Sequence, residues 1–173
     1  EGRRQPGKAA ASIAPSVPGC GNGRLRASGT QVGVRETRRV EGDHVLTAAE
    51  LLEPVQFADA IAAGAYPIDI HPAQGGSLHY VPMDDDHAYQ IPYRSLIPGA
   101  LDNALGVGRG ISASHEALAA IRVMTISMAV GHAAGIAAAM AAKAAGEGMG
   151  AQVRAVPVPA LREALLRGGA VLA

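Results

Sequence analysis

The stretch from Asn103 to Ala145 reads NALGVGRGISASHEALAAIRVMTISMAVGHAAGIAAAMAAKAA, and it sets the organisation expected of the rest of the chain. A short apolar segment, Ala104 to Val107, runs into a glycine-spaced turn at Gly108-Arg109-Gly110. After it comes the longest proline-free, helix-compatible run in the sequence. The pattern predicts a strand, a tight turn and a helix. Glycine tolerates positive φ and lets a ligand come close to the backbone. Ser112 and Ser114 suit an N-cap, with Glu116 in the first turn of the helix. Free amides at such a helix start would favour an anion or a polar ring edge. Gly106-Val-Gly108-Arg-Gly110 does not complete the G-x-G-x-x-G dinucleotide fingerprint, because Ile111 stands at its last position, and no complete copy occurs elsewhere.

Within the helical run, Gly131, Gly135, Ala138 and Ala142 recur at spacings of three or four. They define one smooth face able to lie close against a sheet or another helix. From Val123 to Ala142 the one strongly polar side chain is His132, and Gly131-x-x-x-Gly135 matches a membrane-helix pairing motif. Alanine rather than leucine dominates, so a buried core helix is the favoured reading and a membrane span the rival.

Outside this stretch, the 173 residues suffice for one domain with its own core. Fifteen basic side chains balance fifteen acidic ones, which removes any bulk attraction for nucleic acid or an acidic membrane surface. Aromatic residues are scarce, so small aliphatic side chains must build the core. The single Cys20 excludes an intrachain disulfide and offers no metal cluster; a reducing, cytoplasmic setting is compatible with it. Residues 1–30 are rich in Gly, Pro, Ser, Ala and Arg and lack an apolar period. They are read as a flexible leader or remnant, and Glu1 in place of methionine as the mark of a fragment or a processed chain. Arg3-Arg4 is followed by too short an apolar run to act as an export signal.

From Thr30 on, valines at 32, 34, 40 and 45 alternate roughly with polar residues, predicting two short strands around Arg35 to Arg39. Thr47 and Glu50 form a capping-box pattern, with a helix from Ala48. Arg35-Glu36-Thr37-Arg38-Arg39 is the densest charged cluster. It is read first as a solvated edge with internal salt bridges, and otherwise as a source of guanidinium groups for an anionic ligand. Phe57 to Ala63 is expected to form a helix stopped by Gly64. Tyr66 to His71 is expected to form a strand with Ile68 and Ile70 on one face, Asp69 and His71 on the other. His71, at a strand end before a loop, is a candidate general acid or base. His79 to His87 is read as a solvated acidic loop, since its Asp84-Asp85-Asp86 with His87 fits neither an EF-hand nor a zinc spacing. Tyr89 to Leu96 reads as an extended segment leading to a turn at Pro98-Gly99, and Val156 to Leu166 as a closing segment with an amphipathic helix.

Five of these stretches occur together in a set order: GVRETRRVEGDHVLT (33–47), FADAIAAGAYPIDIH (57–71), YQIPYRSLIP (89–98), NALGVGRGISASHEALAAIRVM (103–124) and GHAAGIAAAMA (131–141). The set resembles the C-terminal half of FAD-dependent oxidoreductases with a glutathione-reductase-like FAD-binding fold, over about residues 30–172. The resemblance implies an α/β chain made of the C-terminal part of a Rossmann-like FAD-binding domain and part of a substrate domain. Its divisions would be a leader (1–30), a substrate-domain portion (31–98), a strand-turn-helix completing the FAD-binding domain (99–146) and a C-terminal linker and helix (147–173). FAD would be the cofactor, with contacts from Gly108, Arg109, Ile111, Ser112, Ser114 and His115. Arg39, Tyr93 and Arg94 would border a small organic substrate, and His71 and Arg35 would assist the chemistry. The glycine fingerprint of an N-terminal Rossmann unit is absent from the sequence. The expectation is therefore a fragment or subunit completing a flavin site, with a docking chain that needs a separate Rossmann-bearing partner as the alternative, and no nucleic-acid or membrane partner.

Overall fold

The computed structural model describes residues 4–31, 33–53, 55–72, 77–146 and 152–172. The chain divides into two compact units, Glu1–Val34 and Arg35–Ala173. In the first, helix α1 (Arg4–Ser16) carries Pro15 in its last turn and buries no side chain. A regular helix thus stands where a flexible leader is expected. Gly19, at φ +87, and the bond from Cys20 N to Val17 O turn the chain after it.

The second unit is a mixed α/β assembly. It comprises helix α2 (Ala48–Leu52), strands β1 (Ala60–Gly64), β2 (Ile68–Ile70), β3 (His79–Val81) and β4 (Tyr89–Pro92), and helices α3 (His115–Ile121), α4 (Met124–Gly146) and α5 (Val158–Arg167). Both sheets are two-stranded and antiparallel, β1 with β4 and β2 with β3. The core gathers Leu46, Leu51, Ile61, Ile68, Tyr89, Ile91, Leu96, Leu118, Leu161 and Leu165, each at most 2% exposed, between the sheets and the helices.

Local signals hold where the contacts are local. The Thr47 hydroxyl accepts from Glu50 N while Glu50 Oε2 accepts from Thr47 N, a complete capping box at the start of α2. Ser114 caps α3, its Oγ accepting from Ala117 N. The amphipathic α5 forms within the closing segment, and Arg162 ties it to β1 by donating to Ala60 O.

Several expectations are overturned. Phe57 to Ala63 is not a helix. Ala60–Gly64 pairs with β4 instead, because ladder bonds and burial of Ile61 beside Ile91 outweigh the helix preference of alanine. Gly64 is no helix stop; a Cβ there would lie 2.6 Å from the Tyr89 ring and 2.7 Å from Ile126 Cδ1, so the strand and α4 meet on its bare backbone. No strands form around Arg35 to Arg39 among the described residues, and Val32 lies outside them. Ala104 to Val107 is extended but unladdered, held by one bond from Gly106 N to Leu96 O. His79 to Val81, expected as loop, pairs with β2. Tyr93–Leu96 tightens into a 3-10 turn rather than staying extended.

The long helix also breaks, at Arg122-Val123. Arg122 closes α3 with its guanidinium donating to Asp69 O on β2 at 2.8 Å, and α4 departs to pack on β1 and α5. One straight helix could not cover both sheets. The packed face of α4 is Ile126, Val130, Ala133, Ala134, Ala137 and Ala141. The small-residue stripe of Gly131, Gly135, Ala138 and Ala142, expected at a close contact, is exposed, beside Met124 at 76% and Met128 at 69%. Length and composition alone would allow α4 to cross a membrane, and a third of its most apolar window is buried inside the unit.

Candidate functional site

Three segments outside both sheets, 40–46, 95–99 and 106–114, are laced together under the glycine turn. Val40 N donates to Gly110 O, Asp43 N to Ile97 O, Gly99 N to Glu41 O, Ser112 N to Ser95 O, and Ser114 N to Leu46 O. Leu46 and Ala113 form a parallel bridge. This seam holds the 3-10 turn Gly108–Gly110 at the surface. Gly108 adopts φ +59, the left-handed region that favours glycine, and open space lies where its Cβ would point.

Of the residues expected at the cofactor, Gly108 is partly exposed, and Arg109 and His115 are exposed. Ile111 and Ser112 are each 1% exposed and face inward, the Ser112 Oγ accepting from Gly42 N at 3.1 Å. Ser114 is engaged as the α3 cap. The expected anion-receptive helix start is also filled from within. The Glu116 carboxylate takes a bond from its own backbone amide and from the Ser114 hydroxyl, which hold it below the usual Glu range. Helix α3 is seven residues long, so its dipole is weak as well.

The charged run at 35–39 supplies two different clusters. In the first, Glu36 bridges Arg39 and His115: Arg39 Nη1 pairs with Oε1, and His115 Nδ1 lies 2.6 Å from Oε2. The internal salt bridge expected of this run is therefore present, but its carboxylate also reaches α3, 79 residues away. In the second, Arg35 lies in electrostatic reach of Arg122. Burial first, then Arg35, holds the Arg122 guanidinium below the usual arginine range, with Asp69 and Tyr66 opposing. His71 Nε2 is 3.2 Å from Asp69 Oδ2 across one strand face, as the alternation predicts. The loop after His71 falls at 73–76, outside the described residues. Next to this cluster an open cleft of ≈ 400 Å³ is lined by Ala63, Gly64, Ala65, Tyr66, Pro67, Thr125 and Ile126.

Tyr93 and Arg94 do not join either cluster. Tyr93 is 2% exposed with its hydroxyl donating to Val153 O at 2.8 Å, and burial pushes its pKa up to about 12. Arg94 clasps Asp59, with Nε 2.9 Å from Oδ2 and Nη2 3.3 Å from Oδ1. Sequence reasoning missed Asp59, Asp69 and Arg122 as partners, and it missed the reach of Glu36 to His115. For Asp69 a signal existed, its alternation with His71. Asp84 to Asp86 are exposed, and among the described residues no group of three or more His, Cys, Asp or Glu could hold a metal ion.

The sequence profile of the FAD dependent oxidoreductase family matches residues 1–165. The chain belongs to that family. No curated protein and no solved structure matches it. Membership makes it a flavin-dependent oxidoreductase, and FAD is the cofactor the family implies. The residues at the glycine turn fit one edge of such a group. The turn has a positive-φ glycine with nothing over it, an exposed guanidinium at Arg109 and an exposed imidazole at His115, all carried on a buried, hydrogen-bonded seam.

Proposed function

We propose that this FAD-dependent oxidoreductase chain contributes the glycine-turn edge of a flavin site and part of the adjoining substrate pocket, corresponding to the C-terminal part of a glutathione-reductase-like FAD-binding domain. The observation that carries the reading is the turn itself: Gly108 at φ +59, unobstructed, with Arg109 and His115 exposed beside it. Gly108 and Gly110 would let the cofactor approach the backbone, and Arg109 would offer donors to its polar groups. Ile111, Ser112 and Ser114 would act by holding the turn in shape. Bound FAD would supply the two-electron acceptor for a hydride leaving an organic substrate.

On the substrate side, Arg35 and Arg122 put two like charges near one another, an arrangement relieved by an anionic group between them. Arg35 would orient such a group, and His71, fixed through Asp69, would add a donor. Arg39 would act on this side through Glu36, whereas Tyr93 and Arg94 would support the pocket wall from behind. The glycine fingerprint for the adenosine half of FAD is absent from this sequence, so that half would be held by a separate Rossmann-bearing chain or segment.

A titration of the 173-residue chain with FAD, followed by quenching of flavin fluorescence, tests the reading. Saturable binding is expected. Gly108→Val should weaken it roughly tenfold, because holding a branched residue in the left-handed region costs on the order of 1–3 kcal/mol. Absence of saturable binding, or equal affinity in the variant, would overturn the assignment of the turn.

A further inference from the structure

His115 and Glu36 form a carboxylate–imidazole pair that the flavin contact alone does not explain. An ionised carboxylate accepts hydrogen bonds and donates none, so the 2.6 Å contact between His115 Nδ1 and Glu36 Oε2 requires the proton to sit on Nδ1. In the neutral ring the lone pair is then on Nε2. The His115 side chain is 52% exposed and that of Glu36 only 22%, so the carboxylate is the anchored partner and the ring the presented one. Arg39 pairs with the other carboxylate oxygen and orients Glu36. Glu116, on the first turn of α3, also lies in electrostatic reach of His115 and of Arg39, and its carboxylate is bonded by its own amide and the Ser114 hydroxyl.

The other histidines lack this arrangement. His87 Nε2 contacts a backbone carbonyl, Leu51 O, at 2.6 Å. His44 Nε2 is 3.1 Å from Glu50 Oε1, in a half-buried position with its ring against Phe57. His71, just past β2, meets the carboxylate of Asp69 two residues back, and its side chain is half exposed.

We infer that His115 is a proton-transfer residue of the site, with Glu36 as its positioning carboxylate. The inference rests on the flavin reading above. The substrate class it selects is one whose oxidised carbon bears an ionisable hydrogen on its heteroatom, an alcohol or an amine. With bound FAD as the two-electron acceptor for the hydride, His115 Nε2 would take the O–H or N–H proton as the C–H bond breaks and a C=O or C=N double bond forms. The imidazolium is stabilised by Glu36 and returns its proton to solvent through the exposed ring edge.

The test uses the full chain without flavin. Ring ¹⁵N spectra of the six histidines report the tautomer, and treatment with diethyl pyrocarbonate at neutral pH, mapped by peptide mass spectrometry, reports the reactivity of each ring. His115 is expected in the Nδ1–H form and to be modified at least about threefold faster than the exposed His132, with Glu36→Gln abolishing that excess, because a carboxylate partner fixes the tautomer that presents the Nε2 lone pair to solvent. Arg39→Met should give an intermediate rate. An Nε2–H tautomer at His115, or equal His115 reactivity in wild type and Glu36→Gln, would overturn the inference. Neither readout involves FAD, so a failure of flavin binding is recognised separately.

Discussion

The seam beneath the glycine turn and the surface it presents are built on opposite terms. Below, Leu46, Leu96, Ile111, Ala113 and Leu118 are 0–5% exposed, and the backbone groups of three segments bond to one another. Above, Arg109 and His115 face solvent, and the carboxylate that meets His115 comes from Glu36, 79 residues away. The contrast teaches that rigidity here comes from the buried side and chemistry from the exposed one. Changes below should cost stability, and changes above should cost binding with the fold intact.

The largest break in that comparison is at Leu118, fully buried in α3 against the seam. Leu118→Ala is expected to lower stability by about 2–5 kcal/mol, through lost burial and the cavity left behind. Urea unfolding checks it, and a loss under about 1 kcal/mol, short of what truncating a tightly packed core leucine costs, would mean the seam is not closely packed.

A smaller effect is expected where the C-terminal segment is latched onto the rim. Arg154 bonds Asp43 through Nε and Nη2 at 2.8 and 3.0 Å and reaches Asp102 at 2.8 Å, while Val153 N donates to Asp102 O. The Arg154 hydrogen bond holds the Asp43 carboxyl below its usual 3.8. Because the folded pKa is depressed, the stabilisation is present above pH 3.8 and is lost as pH falls below that value. Thermal melts of wild type and Asp43→Asn should therefore differ at neutral pH and converge in acid. A constant gap across that range would show that the pair does not titrate with folding.

Legibility in the sequence followed the range of the contacts. The capping box at Thr47 and Glu50, the Ser114 cap and the Ile68/Ile70 alternation involve neighbours within a few residues and could be read directly. Ala60 to Gly64 could not, because its strand character comes from pairing with residues 89–92 and from a glycine that admits the Tyr89 ring. The break at Arg122 lacks a proline or glycine to announce it and depends on the carbonyl of Asp69, 53 residues away. For the same reason the charged run at 35–39 read as a surface edge: nothing near Glu36 in sequence signals that His115 will meet its carboxylate. The five ordered stretches did carry the flavin-dependent oxidoreductase family, since family likeness survives in local motifs even where their pairing is unreadable.

The central claim, that the exposed turn and not another surface meets the flavin, is most directly tested by hydrogen–deuterium exchange of the 173-residue chain with and without FAD. Slower exchange is predicted in peptides covering residues 106–116, with those covering 153–167 unchanged. Protection confined to α4 or α5, with none at the turn, would contradict it.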